Sequence, residues 1–140
     1  WKYHRHALES LNLAGNLQLM ARILIVDDSP SQLLGIKRIV EKLGHETLSA
    51  EDGAAGVEVA KQEKPDLILM DVVMPNLNGF QATRTISKNP DTAHIPIILV
   101  TTKDQETDKV WGMRQGAKAY VTKPIKEEEL VKALEEFLPH

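Results

Sequence analysis

The sequence predicts an α/β protein: a doubly wound, five-stranded parallel sheet of (βα)5 type, in strand order 2-1-3-4-5, with helices on both faces. Two observations carry this. From residue 20 onward, short apolar runs alternate five times with segments of helical periodicity. The runs are also unequal. Ile23-Leu24-Ile25-Val26, Leu67-Ile68-Leu69-Met70 and Ile97-Ile98-Leu99-Val100 are apolar throughout, whereas the second run, 45–50, and the fifth, Ala119-Tyr120-Val121-Thr122, are weaker. Strands buried on both faces of a parallel sheet read as continuous apolar runs, so the weaker two belong at the edges.

Each element follows in order. The first strand, from Arg22 to Val26, ends at Asp27-Asp28, and Ser29-Pro30 starts a helix, since proline is tolerated in a first turn. Leu33, Ile36, Val40 and Leu43 recur at helical spacing before Gly44 closes the helix. Asp52-Gly53 turns into a second helix carrying Val57 and Ala60, which must end before Pro65. The third strand stops abruptly at Asp71, followed by Val72-Val73-Met74-Pro75-Asn76-Leu77-Asn78-Gly79. A helix over 79–88 then places Phe80, Thr83 and Ile86 inward. After the fourth strand, 96–101, a charged helix over 105–115 contains Val110, Trp111 and Met113. The fifth strand leads through Lys123-Pro124 to a last helix with Leu130, Leu134 and Phe137 in register and an acidic first turn at Glu127 to Glu129.

Residues 1–19 differ from the rest. Trp1-Lys2-Tyr3-His4-Arg5-His6 is basic and aromatic, and leucines are then mixed with Asn12, Gly15, Asn16 and Gln18. Polar residues interrupt any apolar core of a secretory signal, and Met20 directly precedes the first strand. We read 1–19 as a leader outside the fold, upstream of or added to a domain spanning 20–140. Leu8, Leu11 and Leu19 are expected along one side of a short helix in it.

Composition narrows the function classes. Of 140 residues, 42% are hydrophobic and 26% charged, as in an ordinary globular domain. A formal net charge of −3 argues against general binding to nucleic acid or membrane. There is no cysteine, which excludes disulfides, thiolate metal sites and cysteine nucleophiles. His4, His6, His45, His94 and His140 do not cluster at metal-ligand spacing. The apolar runs are far too short to span a bilayer, and a cytoplasmic location is the default.

The predicted strand order is flavodoxin-like, and its switch point lies between strands one and three. Asp27, Asp28 and Asp71 therefore meet at one mouth, where open α/β sheets bind their ligands. At an effective dielectric of about 20, each close carboxylate pair costs up to roughly 4 kcal/mol. A cation is the natural remedy, and an all-oxygen donor set suits Mg²⁺. With such an ion, Asp71 is placed to accept a phosphoryl group, a known form of carboxylate nucleophile. Taken singly, each residue has a plainer role: Asp28 could cap the helix at Pro30, Asp71 could open a turn, and Thr101 could simply end a strand. Lys123 could be solvated, and Tyr120 and Trp111 could be core. The coincidence of polar candidates at the carboxyl ends of strands one, three, four and five sets them apart.

The combination Val26-Asp27-Asp28, Met70-Asp71-Val72-Val73-Met74-Pro75 with Gly79, Val100-Thr101 and Thr122-Lys123-Pro124 resembles the response-regulator receiver domains of bacterial two-component signalling, the CheY-like proteins. The resemblance spans about 22–138. It implies that Asp71 is the phosphoacceptor, that Asp27, Asp28, Asp71 and the backbone carbonyl of Val73 hold Mg²⁺, and that Thr101 and Lys123 contact phosphoryl oxygens. It further implies a cis Lys123–Pro124 bond and a Tyr120 switch that turns inward as Thr101 moves. Val73 and Lys103 stand at positions that tune phosphate lifetime, and Thr102 stands where many receivers carry alanine.

The stretch from Thr101 to Gly112 further resembles stand-alone regulators of type IV pilus twitching motility. The implied phosphodonor is a chemosensory histidine kinase. The implied output is a changed surface of helix four, strand five and helix five, with Trp111 as an anchor. The chain ends at His140 without length for a DNA-binding or enzymatic output domain, so output is expected through protein contact. The protein is read as a switch with only self-phosphorylation and self-dephosphorylation chemistry. Alternatives from other classes are an aspartyl-phosphate-forming, Mg²⁺-dependent phosphatase, which would need a second acid where Val73 stands, and an FMN binder, which lacks its phosphate loop here. A receiver-like scaffold that works without phosphate is a further one.

Overall fold

A computed structural model of the chain describes residues 9–11 and 17–138. Its elements are β1 (Glu9–Leu11), β2 (Leu17–Leu19), β3 (Arg22–Val26), α1 (Pro30–Lys42), β4 (Glu46–Ala50), α2 (Gly53–Glu63), β5 (Leu67–Met70), α3 (Gly79–Lys88), β6 (Ile97–Thr101), α4 (Glu106–Arg114), β7 (Ala119–Thr122) and α5 (Glu127–Phe137). β3 to β7 form one sheet in the order β4-β3-β5-β6-β7, every pair parallel. Counted from Arg22, this is the expected 2-1-3-4-5.

The leader departs from expectation in one respect. Leu11 and Leu19, expected on a short helix, lie in β1 and β2, which pair antiparallel with Glu9 opposite Leu19 and Leu11 opposite Leu17. Leu17-Gln18-Leu19 alternates as a strand does. Leu8 lies outside the described residues.

The apolar runs sort onto the two faces of the sheet because successive side chains along a strand point opposite ways. Ile23, Ile25, Leu67, Leu69, Ile98, Val100 and Val121 pack with Ile36 and Val40 of α1 and Leu130 and Leu134 of α5. Leu24, Val26, Ile68, Met70, Ile97 and Leu99 pack with Val57 and Ala60 of α2 and Ala82 and Ile86 of α3. β5 and β6 are buried along their whole length, while β4 and β7 are partly exposed, which is why their runs are weaker. Burying a leucine or isoleucine contributes about 2 kcal/mol each, so these two layers are the main favourable term.

Helix starts are chemically marked. Ser29, Asp52 and Asn78 cap α1, α2 and α3, each accepting a backbone N–H from the first turn. Asp28, weighed above as the cap of α1, is not: Ser29 takes that position. α4 is unlike the others, with Gly112 as its one buried residue, and Val110, Trp111 and Met113 are half-exposed. No helix among the described residues is long and apolar enough to cross a membrane.

At the end of the sheet away from the acidic mouth, the start of β3 is held by side chains. Asp66 Oδ2 accepts the Arg22 N–H at 2.8 Å, and His45 Nδ1 accepts the Ala21 N–H at 3.1 Å. Burial lowers the His45 pKa below its ordinary 6.5, with Asp66 opposing. As pH falls below 6.5, the unfolded chain takes up a proton that the folded imidazole resists, so stability declines and the loss is complete below the folded pKa. Thermal melts between pH 7 and pH 5 should show this decline. It should be smaller in His45→Asn, whose amide oxygen can accept the same N–H without titrating. Identical slopes for the two proteins would remove His45 as the cause.

Candidate active site

The sheet extends its hydrogen-bond ladder one residue beyond the ends of its strands, and that residue carries the chemistry. Asp27 N–H donates to the Ala50 carbonyl at 3.1 Å, Asp71 N–H to the Val26 carbonyl at 2.9 Å, and Lys123 N–H to the Thr101 carbonyl at 2.8 Å. The backbones of Asp27, Asp71 and Lys123 are thus fixed by the same ladder that orders the sheet. Their side chains converge although they are far apart in sequence.

Asp27, at 2% exposure, uses both carboxylate oxygens: Oδ1 accepts the Ser29 N–H at 2.9 Å, and Oδ2 accepts the Lys123 ammonium at 2.7 Å. Asp71, at 7% exposure, accepts the Val72 N–H on Oδ1 at 2.8 Å. Its Oδ2 lies 3.7 Å from Lys123 Nζ, an ion pair longer than a hydrogen bond. The ammonium also donates to Gln32 Oε1. Asp28 is exposed, and each of Asp27, Asp28 and Asp71 offers an oxygen within 4.8 Å of the others. Three hard oxygen donors this close, open to water at Asp28, fit a divalent cation. Burial raises the Asp71 pKa; the Lys123 charge opposes, Asp27 adds to the rise, and the Val72 and Val73 amides oppose it again.

The other predicted residues fall as follows. Thr101 is fully buried, and its hydroxyl accepts the Lys103 N–H at 3.4 Å. Tyr120 packs against the core layer of α2 and α3 and donates its hydroxyl to the Lys103 carbonyl at 2.7 Å. Burial, then Asp108, Asp104 and Asp71, push the phenol up to about 12, so it stays a donor. The Val73 side chain is 55% exposed, leaving only its main chain toward the site. The Lys123–Pro124 bond is cis, as the resemblance implies. Trp111 lies on α4 at 50% exposure and belongs to a surface rather than to this mouth.

Two contributors were not singled out from sequence. Gln32 reaches Lys123, and its signal is its place one turn into the helix that starts at the mouth. The Lys103 main chain joins Thr101 to Tyr120, and no side-chain pattern marks that. Gly79 closes the loop after Asp71, donating its N–H to the Val72 carbonyl at 3.0 Å. A Cβ there would sit 2.0 Å from the Asp71 carbonyl oxygen and 2.7 Å from the Val72 Cα.

Two stability outcomes follow. Gly79→Ala forces backbone against backbone at Asp71 itself and should cost about 3 kcal/mol in urea denaturation. Asp71→Asn should stabilise the metal-free protein by about 1 kcal/mol at neutral pH, by relieving a buried charge beside Asp27. For a domain of this size that is roughly 4 °C in melting temperature. Because the folded Asp71 pKa is raised, the penalty exists only where Asp71 is ionised, so the gain should vanish in acid. Equal melting of both proteins at neutral pH would contradict it.

Comparison with known proteins agrees with this geometry. Residues 23–135 match the response regulator receiver domain family. The chain is 62% identical to "Protein PilH" of Pseudomonas aeruginosa over 115 residues, which covers 82% of this chain and 95% of that protein. Among solved structures, the chemotaxis protein CheY4 of Vibrio cholerae is similar with a TM-score of 0.80 at 31% identity, over 85% of this chain and 99% of that one. The receiver domain of a sensor histidine kinase from Pseudomonas aeruginosa, solved with a magnesium ion coordinated in its active site cleft, has a TM-score of 0.78 at 31% identity, over 84% of this chain and 97% of that one. This chain belongs to the response regulator receiver domain family.

Proposed function

We propose that the protein is a phosphorylation-gated switch whose acceptor is Asp71. The observation that carries the reading is the Asp71 carboxylate itself. Its Oδ2 stands at the mouth, facing an ammonium 3.7 Å away. That oxygen attacks phosphorus in line, the bond from phosphorus to the donor breaks, and its electron pair leaves with the donor. Asp71 has no proton to lose, so no general base is required. Burial and Asp27, which raise the basicity of Asp71, favour its attack.

Asp27, Asp28 and Asp71, with the Val73 carbonyl, would hold Mg²⁺, which supplies charge neutralisation for the incoming phosphate. Lys123 balances a further phosphoryl oxygen as a point charge. The fit of the donor set and the magnesium ion in a similar receiver support this assignment.

The readout begins at Thr101. To donate its hydroxyl to a phosphoryl oxygen it turns from the Lys103 N–H, and the Lys103 carbonyl in turn holds Tyr120. Phosphate therefore biases the loop that leads into α4, and with it the face of α4, β7 and α5. Val110, Trp111 and Met113 give α4 an apolar surface suited to a protein partner, with Trp111 as anchor. The donor is a histidine kinase, the unit that acts is 20–140, and the site of action is the cytoplasm. The similarity to PilH, over nearly all of that protein, supports control of type IV pilus twitching motility.

Acetyl phosphate with Mg²⁺ should label the wild-type protein at one site, and Asp71→Asn should remain unlabelled. Equal labelling of both, measured by intact mass or by phosphate-affinity gel, would sink the assignment.

A further inference from the structure

We propose that Gln32 is a positioning residue for Lys123: its side-chain oxygen holds the ammonium off Asp71 and leaves one of its donors free for a phosphoryl oxygen. This rests on Asp71 being the phosphoacceptor and adds a residue to that site.

The placement of Lys123 is asymmetric. Its side chain is 8% exposed, between Asp27 and Asp71 at 1% and 8%. Two buried carboxylates of equal charge would draw an ammonium to both, yet Nζ is 2.7 Å from Asp27 and 3.7 Å from Asp71. The additional partner is Gln32 Oε1, on the α1 side. An ammonium has three donors; Asp27 and Gln32 take two, and the third is left for the acceptor side.

The Gln32 backbone is held in place by the helix cap, while its side chain is exposed and reaches Lys123. Asp27 Oδ1 accepts the Ser29 N–H at 2.9 Å, Ser29 Oγ accepts the Gln32 N–H at 3.5 Å, Gln32 Oε1 accepts from Lys123, and Lys123 donates back to Asp27 Oδ2. Four contacts thus close a ring through the start of α1. The cap that begins the helix and the carbonyl that steers the lysine are parts of one unit.

The consequence concerns the incoming phosphate. A gap of 3.7 Å is too long for a hydrogen bond between Lys123 and Asp71. It leaves a donor of the ammonium free for a phosphoryl oxygen that sits beside the pair, bonded to phosphorus and accepting from Nζ. Held there, Lys123 meets the phosphoryl group without first breaking an ion pair with the nucleophile, which is preorganisation of a stabilising charge. No bond is made or broken at Lys123, which keeps its protons throughout. Without the Gln32 oxygen, Lys123 moves onto Asp71, covers the attacking oxygen and must be displaced.

The test uses Gln32→Met, which keeps length and loses the acceptor, and Gln32→Glu, which keeps the acceptor. With acetyl phosphate and Mg²⁺, Gln32→Met should label about ten-fold more slowly, the size of one hydrogen bond to a charged group, and Gln32→Glu, which restores an acceptor, should label faster than Gln32→Met. In a Lys123→Met background, adding Gln32→Met should slow labelling no further, because the effect passes through the lysine. In the metal-free protein, the Lys123 ammonium signal by ¹⁵N NMR should shift in Gln32→Met. Equal labelling rates, additive slowing in the double variant, or an unmoved lysine signal would each overturn the inference while wild type still labels. A wild type that takes no label is a separate result, which removes the phosphoacceptor reading and this inference with it.

Discussion

The contact between Lys123 Nζ and Asp27 Oδ2 joins residues 96 positions apart, and the arrangement of the mouth depends on it. Three carboxylates are brought within 4.8 Å by the parallel sheet, an arrangement that self-repulsion would otherwise open. Lys123 supplies the one buried positive charge among the described residues there, but it does so off-centre, hydrogen-bonded to Asp27 and not to Asp71. Asp71 is therefore flanked by charge without a hydrogen bond to the lysine. Burial raises the Asp71 pKa, with Lys123 opposing and Asp27 adding to the rise.

That local cost is carried by the layers beneath. β5 is buried on both faces, and its apolar side chains interlock with α1 and α5 on one side and with α2 and α3 on the other. Gly79 then brings α3 so near that its Cα approaches the carbonyl of the acceptor. A rigid floor and a close loop hold an unfavourable cluster in place, as is usual where strain serves chemistry. By contrast, α4 is held through Gly112, where a Cβ would meet Leu99 Cδ1 at 2.5 Å, and through little buried side-chain area. A helix with so few buried side chains is the element whose position a small change in the preceding loop can bias. The Lys103 main chain, bonded to both Thr101 and Tyr120, lies in that loop.

Strand character was legible because burial on both faces leaves a contiguous apolar run. The edge strands were legible because half of each run is polar. Helix boundaries followed from Ser29, Asp52, Gly79 and Gly116, where local chemistry decides. The leader was misread at Leu11 and Leu19 because a sparse leucine spacing supports either period, and pairing between β1 and β2 settles it as strand. Asp28 was weighed as a helix cap on residue type alone, yet one position decides capping, and Ser29 holds it.

The stretch from Leu67 to Asp71 determined by itself that a carboxylate would stand at the end of a buried strand, since four apolar residues cannot face water and the fifth cannot face the core. The unequal apolarity of the five runs also determined the strand order, and hence that Asp27, Asp28 and Asp71 share a mouth. Only the tertiary structure decided how the charges are divided there: Lys123 on Asp27 and Gln32, farther from Asp71, and Thr101 and Tyr120 tied to one loop residue. The physical reason is range. Burial and periodicity are written in neighbouring residues, whereas a hydrogen bond between side chains 91 or 96 residues apart depends on where the whole sheet puts them.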